Sequence, residues 1–199
     1  TSLFGNFTGV FNISGSTKKT MMSLDASIEN TVFRKIPLGL VKTSGIYNSK
    51  KLIFKNFTSN WNGNYIKGSA SLPIDFNIAS PNINKWNLND KILIRTDGTF
   101  NSLVFLSENI TQTDSIIGDI SISLNVEGTK DKLVRNGSIN IKNGKIHTIL
   151  IDEPITNIFA SAELKQNKMS INSFNGLLFN SNNKVQPDSN LSISGVIDF

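Results

Sequence analysis

Covalent chemistry needs a base, an acid or a nucleophile brought together, and this chain holds few of them. His147 is the sole histidine and cysteine is absent. That excludes a thiol nucleophile and a thiolate zinc site, and a lone imidazole makes a poor transition-metal centre. If Ile146 points inward on a strand, His147 points to the polar face. Paired carboxylates can serve hydrolysis. Asp152 and Glu153, however, are adjacent and face opposite ways on a strand, and before Pro154 they read as the entry to a bend. Asp75, Asp188 and Asp198 are isolated, and no Gly-x-Ser-x-Gly elbow, Walker loop or dinucleotide fingerprint occurs. The segment from Gly63 to Gly68 lacks the Lys-Ser/Thr ending of a phosphate loop and reads as a hairpin. The expectation is a non-enzyme, with no catalytic residue, no cofactor and no metal.

Binding chemistry is the next class to weigh. The formal charge is +5 and the isoelectric point about 9.4. The basic residues are scattered, as Lys18-Lys19, Arg34-Lys35, Lys50-Lys51 and the group Lys130, Lys132 and Arg135, with acidic residues between them. That distribution fits solvated turns and sheet edges and no nucleic acid is expected as partner. Trp61, Tyr65 and Lys67 could form a stacking patch for bases, or a sugar-binding patch together with Trp86. The competing reading is that the 13 Phe and 2 Trp fill the inside of a sheet. Asn-x-Ser/Thr triplets at Asn6, Asn12, Asn56, Asn109 and Asn190 follow from an Asn- and Ser-rich composition, and accept glycans only in a eukaryotic secretory chain.

The elements that would carry any site are strands. Of 199 residues 27 are Asn and 24 are Ser, a load that disfavours helices and favours turns. Gly118-Asp-Ile-Ser-Ile-Ser-Leu-Asn-Val-Glu-Gly128 puts Ile120, Ile122, Leu124 and Val126 on one face and polar side chains on the other. Ile139 and Ile141 follow in the same way, with Asn143-Gly144 expected as a two-residue hairpin turn and Ile146 beginning the next strand. Phe7, Gly9, Phe11 and Ile13 alternate near the start, Leu24, Ala26 and Ile28 after them, and Leu191, Ile193, Gly195 and Ile197 near the end. The one helix signal runs from Asp97 to Glu108, where Leu103, Leu106 and Ile110 have helical spacing. Fold class is therefore all-β, residues 1–199 forming a single elongated domain with at most one or two short helices. No apolar run is long enough for a membrane-spanning helix. The start at Thr1 without a leader reads as a piece of a longer protein.

An internal repeat is visible. Ile28-Glu-Asn30, Pro37, Ser44 and the run from Leu52 to Phe57 recur as Ile141-Lys-Asn143, Pro154, Ser161 and Met169 to Phe174. The halves are residues 24–91 and 137–199, and repeats of this kind stack into one continuous core.

The grammar of the second half is particular. A glycine-led alternating strand ends at Gly128-Thr129, and a second runs from Gly137 to Asn143-Gly144. Pro154-Ile155 and a strand ending Met169-Ser-Ile-Asn-Ser-Phe174-Asn-Gly complete the unit. This resembles the repeat region of the TamB/AsmA-like proteins, most clearly over residues 92–176. Lys130-Asp-Lys-Leu133 stands where that family commonly has a proline after the Gly-Thr turn. The resemblance implies an elongated, curved antiparallel sheet of repeated hairpins, a β-taco with a U-shaped apolar groove. It also implies a place in the periplasm of a diderm bacterium, with an inner-membrane anchor elsewhere in the parent chain. The implied job is phospholipid transport across the periplasm, or outer-membrane protein assembly with a barrel partner.

On this reading the groove lining comprises Leu52, Phe54, Phe57, Ile120, Ile122, Leu124, Val126, Ile139, Ile141, Ile171, Phe174, Leu191, Ile193 and Ile197. The ligand would be a phospholipid or another acyl chain, each buried methylene contributing about 0.8 kcal/mol. Open sheet ends would favour self-association. The alternatives are a closed β-sandwich that binds carbohydrate or protein, as in adhesins, a spacer without a ligand, and, more remotely, a hydrolase.

Overall fold

A computed structural model describes residues 3–16, 19–33, 36–75, 90–104, 113–148, 151–179 and 185–198. The first strands are β1 (Leu3–Ser16), β2 (Lys19–Phe33), β3 (Ile36–Asn48), β4 (Lys51–Trp61), β5 (Asn64–Leu72) and β6 (Ile92–Ser102). They are followed by β7 (Thr113–Thr129), β8 (Lys132–Thr148), β9 (Ile151–Lys165), β10 (Lys168–Phe179), β11 (Val185–Ser192) and β12 (Gly195–Asp198). All twelve belong to one antiparallel sheet in sequence order, with β11 and β12 both pairing with β10. Among the described residues the sheet is open, since β1 has a strand neighbour on one side only. Consecutive hairpins therefore build the fold, and a closed two-sheet sandwich is not formed.

Two compact units share these strands. One comprises residues 1–97 with 124–135, the other 98–123 with 136–199. In the first, Phe7, Gly9, Phe11 and Ile13 of β1 pair with Ile28, Ala26, Leu24 and Met22 of β2. Directly opposed residues lie on one face, so alternation on β1 continues across β2 to Val41, Thr43, Gly45 and Tyr47 of β3. In the second, Ile139 and Ile141 oppose Ala162 and Ala160 of β9, which oppose Ile171 and Phe174 of β10.

Ile158 is fully buried, and the reason is local. It opposes Gly144, and Gly176 of β10 lies on its other side. A methyl at Gly144 would come 2.7 Å from Ile141 Cγ2 and 3.0 Å from Ile158 Cβ. One at Gly176 would come 2.7 Å from Ile155 Cγ2 and 3.3 Å from Ile158 Cγ1. The missing side chains on both neighbouring strands make room for a branched one between them.

Two local expectations change. Asn143-Gly144 is not a hairpin turn: β8 runs through it to Thr148. Asn143 is a bulge residue at φ 51°, a conformation asparagine tolerates, and Gly144 remains paired with Ile158. Ile146 accordingly lies within β8, near its end, instead of beginning the next strand. Likewise Asp97–Ser102 is strand and not helix, for β6 continues to Ser102. Ile92, Gly98 and Phe100 are buried there, and this period of two overrides the helical spacing of Leu103 and Leu106. Leu106, Ile110 and Trp86 lie outside the described residues. Among the described residues there is no helix long and apolar enough to cross a membrane.

Equivalent hairpins recur along the chain. Gly5, Gly15 and Asn30, all at positive φ, have counterparts 113 residues later in Gly118, Gly128 and Asn143, also at positive φ. At an offset of 117 residues the β3–β4 and β9–β10 hairpins keep the same register. Ser44 opposes Asn56 and Ser161 opposes Ser173; Gly45 opposes Phe54 and Ala162 opposes Ile171. The turns correspond too, with Asn48 opposite Lys51 and Lys165 opposite Lys168. Between β8 and β9 the register is slid by two residues relative to β2 and β3. Leu24 opposes Gly45, whereas Gly137 opposes Leu164 in place of Ala162. An even slip leaves each side chain on its face.

Candidate apolar groove

The first unit holds two cavities on the apolar face of its sheet. The larger, about 400 Å³, is lined by residues of six consecutive strands, from Leu3 of β1 through Ile28, Val41, Phe57 and Ala70 to Ile94 of β6. On a flat sheet β1 and β6 would stand about 24 Å apart. A single cavity touching both requires the sheet within this unit to bend around it. The second, about 300 Å³, lies nearer the β3–β4 turn, between Phe11, Met22, Leu24, Tyr47 and Leu52. Phe54 lines both. Both volumes fall in the range of small-molecule sites. Together they follow β3 from Leu38 to Tyr47, about 30 Å at 3.3 Å per residue.

A β-bulge aligns the lining. Phe54 opposes Ala70 and Phe57 opposes Gly68, so three residue steps on β4 match two on β5. Without the extra residue at Lys55–Asn56, Phe57 would point to the opposite face. The polar face at this bulge is closed by a hydrogen bond between the Ser44 hydroxyl and Asn56 Oδ1. At the equivalent bulge of β10, the hydroxyls of Ser161 and Ser173 are 3.1 Å apart. The surroundings of the large cavity also include polar groups. Thr31 Oγ1 donates to the Ile28 carbonyl, and Arg95 lines the cavity from β6 while staying exposed.

Of the residues expected to line a groove, Leu52, Phe54 and Phe57 line these two cavities. Leu124 and Val126, also in the first unit, are half-buried. In the second unit Ile120 is buried, while Ile122, Ile139, Ile141, Ile171, Phe174 and Leu191 are half-buried. Ladder pairing puts Ile139, Ile141, Ile171 and Phe174 on one face, and Ile197 opposite Met169 joins them. Ile193 and Ile197 are exposed. Sequence reasoning omitted Leu3, Phe11, Met22, Val41 and Tyr47 from the lining. The alternation on β1 and β2 included Phe11, and that signal could have extended the set.

The residues considered for other chemistry are dispersed. Trp61 is buried and opposes Asn64, whereas Tyr65 opposes Asn60 on the other face, so the two rings form no common patch. His147 is half-buried on β8. Glu153 and Pro154 lie within β9 and not at a bend; the side chains of Asp152 and Asp188 are outside the described residues. Among the described residues no three His, Cys, Asp or Glu side chains cluster as metal ligands would. Lys50, on the β3–β4 turn, is held 3.0 Å from Asp75. The hydrogen bond and charge of Asp75 raise its pKa above the ordinary lysine value.

What the fold and this face define is an open array of β-hairpins with an apolar groove in its first unit. No family model matches the chain, and neither a curated protein nor a solved structure is found similar to it.

Proposed function

We propose that this chain is a non-enzymatic acyl-chain carrier, part of an envelope protein of the TamB/AsmA-like kind that moves phospholipid through the periplasm of a diderm bacterium. One observation carries the reading: two apolar cavities that share Phe54 in their linings lie side by side along about 30 Å of a bent sheet. A bilayer's hydrocarbon core is about 30 Å thick, and one acyl chain spans about half of it. The length of the apolar face along which the two cavities lie is therefore enough for a complete acyl chain. Its contacts are apolar and diffuse, which suits a carrier that must release its cargo. Arg95 at the margin would favour an anionic headgroup left in water. Outer-membrane protein assembly with a barrel partner is the family's other implied role, and the groove supports it less directly.

Native mass spectrometry of the detergent-free protein tests this. Adducts in the phospholipid mass range are expected on the wild type and not on Phe54→Asp, because a charge on a side chain that lines both cavities is costly to bury. A clean apo mass, after exposure to phospholipid vesicles as well, would overturn the proposal.

A further inference from the structure

The polar face of the second unit carries a large apolar ring where the first half of the chain carries a charge. Phe159 of β9 is 50% exposed. It directly opposes Asn175 of β10, and Asn175 opposes Ser192 of β11, both of them exposed. The equivalent position in the first half, at the offset of 117 residues, is Lys42, which opposes Thr58 in the same register. Lys42 is exposed as well. A solvated lysine satisfies this place in the hairpin, so packing does not explain the phenyl ring.

On its other side Phe159 faces a bulge. Ile141 opposes Ala160 and Gly144 opposes Ile158, so Lys142 and Asn143 together stand across from Phe159. Asn143 Nδ2 donates to Asp119 Oδ2 of β7 at 2.9 Å. That bond orients the amide and the carboxylate as a pair, and each keeps oxygen lone pairs for further donors. Asp119, Asn143, Phe159, Asn175 and Ser192 thus form one exposed row from β7 to β11, about 19 Å at 4.8 Å per strand spacing. All five belong to the second unit.

We propose that this row is a binding site for a neutral saccharide with equatorial hydroxyls. The axial C–H groups of such a sugar make an apolar face that stacks on the exposed phenyl ring. Its hydroxyls point sideways, toward the Asn143–Asp119 pair on one neighbouring strand and Asn175 on the other. Amides and a carboxylate answer hydroxyls, which donate and accept at once. Other ligand classes match the row less well. A protein interface needs an apolar core of several side chains, and the row offers one ring. A nucleic-acid strand would set its phosphates against the Asp119 carboxylate, where such sites need a basic groove. The proposal stands apart from acyl-chain binding, since none of the five residues lines either cavity.

The test titrates cellohexaose and chitohexaose, neutral chains of this stereochemistry, into the full chain by isothermal titration calorimetry. Saturable binding of at least one is expected. Phe159→Lys, which installs the residue of the first half, should weaken it by about tenfold or more with an unchanged circular dichroism spectrum. Phe159→Trp should retain binding, because a ring is still there to stack on. Asn175→Ala should weaken it by a smaller factor, through the lost hydrogen bond alone. Absence of binding for both sugars would overturn the proposal. So would unchanged affinity in Phe159→Lys or in Asn175→Ala, since the saccharide would then sit elsewhere.

Discussion

Phe54 and Phe57 are three residues apart on one strand and yet line the same cavity. The bulge at Lys55–Asn56 absorbs the odd residue. Because side-chain direction on a strand has a period of two, a one-residue change flips whatever follows it to the other face. Deleting Lys55 converts the bulge into regular ladder and keeps Phe57 inward. Deleting Thr58, in the regular part of β4, turns Ser59 and Trp61 outward, both of which are buried. The Lys55 deletion is expected to fold with a near-native urea midpoint. The Thr58 deletion should lose cooperative unfolding. Equal behaviour of the two would disprove this account of the bulge.

Ile158 and its flanking glycines make a second, opposite pair of errors available. Ile158→Ala leaves a void and is expected to cost about 2–5 kcal/mol. Gly144→Ala overfills the site by pressing a methyl against Ile141 and Ile158, at about 1–3 kcal/mol. The double variant should be less destabilised than the sum of the singles, since the added methyl enters the vacated space. Urea denaturation of all four proteins completes the cycle. Strict additivity would mean that the two residues do not compete for one volume.

The Lys50–Asp75 pair predicts a pH effect of defined sign. A lysine whose folded pKa is raised gives stability that is fully present below its unfolded value, about 10.4. That stability is lost as pH rises through the folded value. The pair is exposed on the lysine side, so the effect is small and weakened by salt. Thermal melts of the wild type should fall relative to Asp75→Asn only in the alkaline limb above the ordinary lysine pKa. A difference that grows toward acid pH on the lysine's account would contradict the assignment.

How far the sequence was readable depended on whether alternation ran unbroken. β7 alternates from Ile120 to Val126, and its face could be assigned from residue type alone; so could Phe7 to Ile13 of β1. The hairpin read over Gly63 to Gly68 was only roughly placed: the chain reverses at Asn62-Gly63, both at positive φ, and Asn64 to Gly68 belong to β5. Asn143-Gly144 has the same letters but sits inside a ladder, because partner strands, not the dipeptide, decide whether the chain reverses. β6 was masked by Leu103 and Leu106, whose helical spacing competed with a strand pattern weakened by Thr96 and Gly98. The repeat was traceable from Ile28 onward but not through β1. There Gly9 stands where β7 has Ile122, and the matched positive-φ glycines are visible only in the backbone. The cavities were beyond composition altogether, since they arise from a bend that brings six strands around one space.

Arg95 yields a prediction about cargo. It lines the larger cavity from β6 and is exposed, so its charge meets whatever projects from the groove without being buried. A basic residue near an anionic lipid surface contributes about 1 kcal/mol. Arg95→Glu should therefore weaken binding of an anionic phospholipid by about fivefold or more. Binding of a zwitterionic phospholipid with the same acyl chains should change little, because the apolar contacts at Phe54 and Phe57 are untouched. Competition between the two lipids in native mass spectra, at low and high salt, separates these terms. If Arg95 acts through charge, the preference for the anionic lipid shrinks with salt in the wild type and is absent in the variant. An unchanged preference in Arg95→Glu would place the headgroup elsewhere along the groove.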